Sequence, residues 1–177
     1  MKSLLLTLGF TLLLAQVTFA QQEVFPVIKG YGSVIDMPFE TIKPDPSLQY
    51  KLLAEAFSGQ KDKTELYDPL DYFARVVNAH AHAGVPAENF KMSIVLFSGS
   101  VFTTLNNAEF QKRFGTDNPN LELIQKFQDA GVDVFVCGQS MMKQDIMPEM
   151  LIEGLKIGSS RITVASEHLT NGFVSIY

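Results

Sequence analysis

Cys137 is the residue best suited to covalent chemistry, and it is the single cysteine among 177 residues. A thiolate is a nucleophile, whereas a buried thiol behaves as a small hydrophobic group, so the position of the residue must decide between the two roles. Residues 132–136 are mostly β-branched or aromatic, which predicts an interior strand of a parallel sheet. Cys137 would then end that strand, where α/β proteins place ligands and reacting groups. The position favours a reactive thiol, and a packed cysteine stays the alternative.

The residues that follow Cys137 could stabilise an anionic sulfur. Gly138 permits a turn, and the backbone amides of Gly138 and Gln139 could point at the sulfur. Ser140 ends the motif, Lys143 is the nearest cation in sequence, and the amino end of a following helix would add a favourable dipole. We expect these four residues to contribute to a ligand site around the thiol.

A second candidate loop follows the apolar residues 90–97, which predict another strand. Ser98, Gly99 and Ser100 come directly after it, again at a carboxyl end. The Gly-x-Ser-x-Gly motif of a hydrolase nucleophile is absent, which argues against that class of enzyme. We expect these hydroxyl groups either to donate hydrogen bonds to a ligand beside Cys137 or to cap the next turn.

The three histidines do not predict a metal site. His80 and His82 lie two residues apart on a predicted helix and therefore point to different faces, which excludes an i,i+4 metal pair. His80 falls on the apolar stripe, where a satisfied core histidine is the usual role. Because His168 is the only other imidazole, we predict neither a bound metal nor a cofactor.

Composition limits the function classes. The net charge of −5 and the isoelectric point near 5.1 leave no basic surface for phosphate contacts, which argues against nucleic acid as a partner. With 46% hydrophobic residues, the chain suits one globular domain once a targeting segment is removed.

That targeting segment is residues 1–20, which predict a secretory signal peptide. A lysine precedes an apolar run over residues 4–17, and small residues stand at positions 18 and 20, before a cut after Ala20. We therefore expect export to the periplasm or the medium, without a membrane span in the mature chain. Outside the cytoplasm the single thiol would be buried, paired between chains, or kept for reactivity.

The mature chain divides into an extended arm, residues 21–49, and a domain, residues 50–177. Prolines and glycines interrupt regular structure in the arm. Its apolar residues are too many for a solvated tail, so we expect it to lie against the domain or against a second subunit of a homo-oligomer.

Within the domain, strands and helices alternate. Asp68 is predicted to cap the first helix, with Pro69 at its first position. The whole order is strand 50–57, helix 68–84, strand 90–97, helices 106–114 and 121–130, strand 132–137, short helical pieces limited by Pro148, strand 160–165, short helix 166–170 and strand 173–177. A helix between two buried strands is a β-α-β crossover, which predicts parallel pairing.

This element order resembles the DsrE/DsrF-like family over residues 50–177. The motifs that carry the resemblance are Asn118-Pro119-Asn120-Leu121, Gly131-Val132, Val136-Cys137-Gly138-Gln139-Ser140 and Asn171-Gly172-Phe173. The arm resembles that of the exported subgroup. The resemblance implies an α/β fold, a three-layer α/β/α sandwich with a five-stranded, mainly parallel sheet, and assembly into a dimer, trimer or hexamer.

The resemblance also implies a function for Cys137. In sulfur-relay members the matching cysteine carries persulfide sulfur between proteins, so this chain would be an exported sulfur carrier or transferase with donor and acceptor proteins as partners. The alternative is a non-catalytic ligand-binding or assembly protein in which Cys137 only packs. A thiol redox enzyme would need a partner thiol, because the chain contains no second cysteine.

Overall fold

The alternating apolar and helix-forming segments fold, in a computed structural model, into five parallel strands with helices on both faces. The structure describes residues 22–176, and the predicted signal peptide lies outside them. No helix within the described residues has the length and apolar character needed to cross a membrane.

The strands form one large sheet and one small hairpin. They are β1 Glu23–Val24, β2 Val34–Ile35, β3 Tyr50–Ala56, β4 Phe90–Leu96, β5 Asp133–Cys137, β6 Lys156–Gly158 and β7 Val174–Ser175. β1 pairs antiparallel with β2. The other five pair in parallel in the order β6-β5-β4-β3-β7. The strands predicted at 50–57, 90–97 and 132–137 are therefore confirmed as β3, β4 and β5.

Within residues 22–176, five α-helices connect the strands. They are α1 Asp68–His82, α2 Asn107–Phe114, α3 Leu121–Asp129, α4 Gly138–Lys143 and α5 Arg161–Thr170, and short 3₁₀ helices span Ala87–Asn89, Ser98–Thr104 and Pro148–Met150. The predicted helices at 68–84, 106–114 and 121–130 are confirmed within two residues at each end. Tyr67 rather than Asp68 takes the cap position of α1, so Asp68 is its first helical residue.

Hydrophobic clusters cover both faces of the sheet, because successive strand residues point to opposite sides. Leu52 and Ala54 of β3 face the side covered by α1 and α3. Leu53 faces the other side and packs with Val95 of β4 and Val164 of α5. The predicted layering of helices on both faces of a parallel sheet is thus confirmed.

The strand predicted at residues 160–165 is wrong, because this segment begins helix α5. Ser160 caps the helix: its Oγ accepts a hydrogen bond from the Thr163 N–H at 3.1 Å. A cap satisfies an otherwise unpaired helix donor, and this outweighs the strand preference of the β-branched residues behind it. The outer strand is instead β6, three residues long, and the helix predicted at 166–170 is the second half of α5.

Asn78 of α1 holds the amino-terminal arm against the domain. The residue is fully buried, and its Oδ1 accepts hydrogen bonds from the N–H groups of Val27 and Ile28 at 2.9 and 2.8 Å. Its Nδ2 donates to the carbonyls of Tyr31 and Gly32, both at 2.9 Å. Gly32 lies so close to α1 that a side chain there would overlap the helix backbone.

Candidate functional site

The five parallel strands run toward one side of the sheet, which we call the carboxyl edge. Cys137 is the last residue of β5 and also the cap residue of α4, so no loop separates strand from helix. The residue is 4% exposed. The predicted strand-end position is therefore confirmed, and the thiol at that position is nearly buried.

Four hydrogen-bond donors converge on the Cys137 sulfur. The Arg161 N–H, at the start of α5, donates to Sγ over an N–Sγ distance of 3.2 Å. The N–H groups of Gln139 and Ser140, at the start of α4, and the Ser140 hydroxyl also donate to it. The first N–H groups of a helix have no partner inside the helix, so two helix starts supply donors to one atom.

These contacts decide the pKa of the Cys137 thiol. Burial is the largest influence and raises the pKa, because it penalises the charged form. The hydrogen bonds from Ser140, Arg161 and Gln139 lower the pKa and together prevail, so it lies below the ordinary value for cysteine. A lower pKa means more thiolate at neutral pH, and the thiolate is the reactive form.

Ser98 acts on the thiol through Ser140. The Ser98 N–H donates to Ser140 Oγ at 2.8 Å, which leaves the Ser140 hydroxyl hydrogen available for Cys137 Sγ. Ser98 has a φ of 55°, in the left-handed region that non-glycine residues rarely adopt. The loop after β4 therefore orients a donor to the sulfur by its backbone, whereas the sequence had suggested its hydroxyl.

Gly99 and Ser100 hold the loop itself. Ser100 is fully buried, and its Oγ donates to the Ala56 carbonyl at 2.6 Å and accepts from the Phe97 N–H at 2.9 Å. A Cβ on Gly99 would lie 2.7 Å from the Gly59 nitrogen, so the two loops touch backbone to backbone. Both residues thus have structural partners at the carboxyl edge.

Gly138 and Lys143 differ in their relation to the thiol. Gly138 is the first residue of α4, and a Cβ there would lie 3.0 Å from the Gly158 carbonyl oxygen, so glycine lets α4 approach the segment that leads to Arg161. Lys143 is exposed in the last turn of α4. Six residues of helix place its backbone about 9 Å from that of Cys137 along the axis, so hydrogen bonds rather than this cation surround the sulfur.

An ion pair missed by the sequence analysis lies beside the thiol. Arg161 binds Glu55 through two contacts, Nε to Oε1 at 2.5 Å and a terminal nitrogen to Oε2 at 3.1 Å. The Arg161 guanidinium lies 5.2 Å from the centre of the Phe97 ring. Glu55 interrupts the apolar residues 52–56 of β3, and this was the available signal; Arg161 was hidden by the wrong strand prediction.

The three histidines are partly exposed, and each has a partner other than the thiol. His80 Nδ1 lies 2.8 Å from the Val76 carbonyl. His168 donates from Nδ1 to the Val164 carbonyl at 2.8 Å, and its Nε2 accepts from Ser93 Oγ at 3.0 Å. Within residues 22–176, no group of three or more metal-ligating acidic, histidine or cysteine side chains is found. The Cys137 sulfur has hydrogen-bond donors as its neighbours, and these favour the thiolate over the thiol.

Exposed apolar side chains occur on the elements that meet near the carboxyl edge. Phe57 follows β3, Met142 belongs to α4, Ile157 to β6 and Ile162 to α5, and each is at least 46% exposed. A group of exposed apolar residues beside a polar centre is typical of surfaces that bind other proteins. We call these four residues the apolar rim.

The comparisons with known proteins concern the family and the fold. The sequence profile of the DsrE/DsrF-like family matches residues 34–171. The fold is similar to that of MTH1491, a protein of unknown function from Methanobacterium thermoautotrophicum, with a TM-score of 0.55 and 16% identity over 72% of this chain and 98% of that one. It is also similar to the ychN protein from E. coli, with a TM-score of 0.51 and 20% identity over 72% of this chain and 97% of that one.

No curated protein matches the chain significantly. At these identities the two solved structures show a shared fold and nothing finer. The family profile covers most of the described residues, including the thiol and its donors. The chain therefore belongs to the DsrE/DsrF-like family, and this membership suggests a function of the sulfur-relay type.

Proposed function

We propose that this protein carries sulfane sulfur as a persulfide on Cys137. The observation that carries the proposal is the convergence of four hydrogen-bond donors on one nearly buried sulfur. These donors favour the thiolate, which is the form that attacks another sulfur. Membership of a sulfur-relay family supports the same chemistry.

The transfer is a thiol exchange that needs no external oxidant or reductant. The Cys137 thiolate attacks the outer sulfur of a donor persulfide, R–S–SH. A bond forms between Sγ and that sulfur, the donor's S–S bond breaks, and its electron pair leaves on the donor as R–S⁻. The products are Cys137–S–SH and R–S⁻, so atoms and charge balance. Release to an acceptor thiolate is the same exchange with the roles reversed.

Partner proteins would supply and receive the sulfur at the apolar rim. A nearly buried thiol admits a partner's cysteine only where a surface can dock around it, and the exposed rim supports such a contact. A homo-oligomer, a dimer, trimer or hexamer, would cover further exposed residues such as Phe39 and Ile42. Light scattering on the mature chain measures the oligomer, and a clean monomer at micromolar concentration would remove that part of the proposal.

The site would operate outside the cytoplasm, after cleavage near Ala20. The motivation is the charged start, the apolar run and the small residues before position 21. Amino-terminal sequencing of exported protein should begin at Gln21 or within two residues of it. Retention of Met1 in that protein would contradict export by a cleaved signal peptide.

A second candidate function is a non-catalytic ligand-binding or assembly protein, and one observation favours it. Cys137 is 4% exposed, which is usual for a cysteine that only packs. The two candidates differ in how fast the native thiol reacts. A packed cysteine is alkylated only after denaturation, whereas a thiolate carrier reacts in the native state.

The deciding experiment offers a persulfide donor to the folded protein. Mass spectrometry of the peptide that contains Cys137 should show the added mass of one sulfur, removable by a reductant. Cys137→Ser is the matched control and should gain nothing. If the wild-type peptide never gains sulfur and its thiol is also slow to react with iodoacetamide, the binding or assembly function replaces the carrier.

A further inference from the structure

Arg161 is attached to the rest of the site at both of its ends. Its backbone N–H donates to Cys137 Sγ at 3.2 Å, and its guanidinium binds the Glu55 carboxylate at 2.5 and 3.1 Å. A two-point contact between guanidinium and carboxylate fixes direction as well as distance. The first residue of α5 is therefore tied to both β3 and β5.

The carboxylate end of this link is well anchored. The Glu55 side chain is 11% exposed, whereas that of Arg161 is 41% exposed. A nearly buried carboxylate without its cation would be an unpaired buried charge, which is energetically costly. This cost keeps the guanidinium bound to Glu55. Phe97 supports it from below, with its ring centre 5.2 Å from the guanidinium carbon.

The two charges neutralise each other, so the pair supplies little net charge to the sulfur. The other charged residues on the elements packed around the thiol lie at the far ends of those elements. They are Lys51, Lys91, Asp133 and Lys156 toward the amino ends of the strands, Lys143 in the last turn of α4, and Glu167 and His168 in the second half of α5. Any effect of the pair on the thiol must therefore come mainly from geometry.

We propose that the Glu55–Arg161 ion pair is a positioning device that holds the start of α5 where the Arg161 N–H donates to the Cys137 sulfur. This inference rests on the proposed carrier function and deepens it, because it names the residues that place a hydrogen-bond donor at the carrier sulfur. Glu55 and Arg161 act through the backbone and need not touch the transferred sulfur.

The test separates position from charge. The double variant Glu55→Gln/Arg161→Ala removes the link without changing the net charge. The thiol pKa of this variant, measured from the pH dependence of iodoacetamide alkylation, should be about one unit higher than that of the wild type. At a pH below the wild-type pKa, alkylation should therefore be roughly tenfold slower. The single variant Glu55→Leu removes the carboxylate and leaves the guanidinium unpaired. If the pair acts by positioning, the thiol pKa should rise in this variant too. If the pair acts by charge alone, the thiol pKa should fall, because an unpaired cation favours the thiolate.

The matched control is Asp133→Asn, which breaks the ion pair between Asp133 and Lys156 at 2.6 Å, at the opposite edge of the same sheet. It should leave the thiol pKa unchanged. Unfolding midpoints of all variants confirm that the folded proteins are being compared. A raised thiol pKa in both Glu55 variants, with an unchanged thiol pKa in Asp133→Asn, supports the proposal.

Three outcomes would overturn the positioning proposal: an unchanged thiol pKa in the double variant, a lower thiol pKa in Glu55→Leu, or an equally raised thiol pKa in Asp133→Asn. Alkylation needs no sulfur donor, so the result does not depend on persulfide formation. A wild-type protein that gains no sulfur would refute the carrier function, while an unchanged pKa in a protein that does gain sulfur would refute only the positioning role.

Discussion

The segments that follow β4 and β5 have similar sequences and different uses. Ser98, Gly99 and Ser100 follow β4, and a glycine and a serine also follow Cys137 at the end of β5. After β4, the Ser100 hydroxyl donates to a backbone carbonyl and Gly99 meets a neighbouring backbone. After β5, the serine hydroxyl and the helix amides point at a side-chain sulfur.

The difference lies in what the donors are bonded to. A donor bonded to a backbone carbonyl stabilises the fold, because breaking the bond leaves a buried polar group without a partner. A donor bonded to a titratable sulfur stabilises mainly one protonation state. Variants of Gly99 and Ser100 should therefore change stability, and variants after β5 should change thiol chemistry.

The largest effect is expected for Gly99→Val. The new side chain would begin 2.7 Å from the Gly59 nitrogen, and two backbones cannot move apart as a flexible side chain can. We expect a loss of about 3 kcal/mol of unfolding free energy, the upper end for overpacking. Urea unfolding measures it. An unfolding midpoint of the variant equal to that of the wild type would show that the two loops are not in close contact.

The next effect is that of Ser100→Ala, which leaves the Ala56 carbonyl and the Phe97 N–H without their side-chain partner. The expected cost is about 1 kcal/mol of unfolding free energy, the usual net contribution of a hydrogen bond, because the Phe97 N–H still donates to the Ala56 carbonyl at 3.0 Å. The alkylation pKa of the thiol should stay that of the wild type. A shifted thiol pKa with an unchanged unfolding free energy in Ser100→Ala would contradict the assignment of a structural role to the segment after β4.

Ser140→Ala should show the opposite behaviour. It removes the hydroxyl that donates to Cys137 Sγ, so the thiol pKa should rise by about one unit, with unfolding free energy changed by less than about 1 kcal/mol. The pH profile of alkylation measures the shift. Ser166→Ala, at an exposed position of α5, is the control and should change neither quantity.

The wild-type protein gives a pH test of the same idea. Because hydrogen bonds lower the folded pKa of Cys137 below the unfolded one, native alkylation should reach half its maximum at a lower pH than alkylation in denaturant. The ionised thiol stabilises the fold above the unfolded pKa, and this contribution is lost as pH falls through the folded pKa. Cys137→Ser should lack that pH dependence. A native thiol that titrates at the higher pH would contradict the donor geometry.

The smallest effect is expected for Ser98→Gly. Glycine adopts a φ of 55° without strain and keeps the N–H that donates to Ser140, so the thiol pKa should stay within about 0.3 units. Relief of strain and the greater freedom of glycine in the unfolded chain oppose each other, so unfolding free energy should change by less than about 1 kcal/mol. A raised pKa would mean that the Ser98 hydroxyl, and not its backbone, serves the site.

Local patterns made much of the fold predictable. The β-branched run before Cys137 and the apolar run before Ser98 have the length and composition of buried strands, and both form strands. The segment after Ser159 misled the prediction, because a capping serine competes with β-branched residues and only the hydrogen bond to Thr163 decides the outcome. Asn78 gave no local signal, since its five partners come from the arm some 50 residues away.

By itself, the sequence determined the alternation of strands and helices, the parallel sheet and the place of Cys137 at a strand end, because these depend on residue patterns and on the handedness of crossovers. The tertiary structure alone decided which hydrogen-bond donors and charged residues lie around the thiol. The Arg161 N–H comes from 24 residues away, and Glu55 lies 106 residues from Arg161. Hydrogen bonds over such separations depend on angstrom-level packing of α5 on the sheet, which no local pattern specifies.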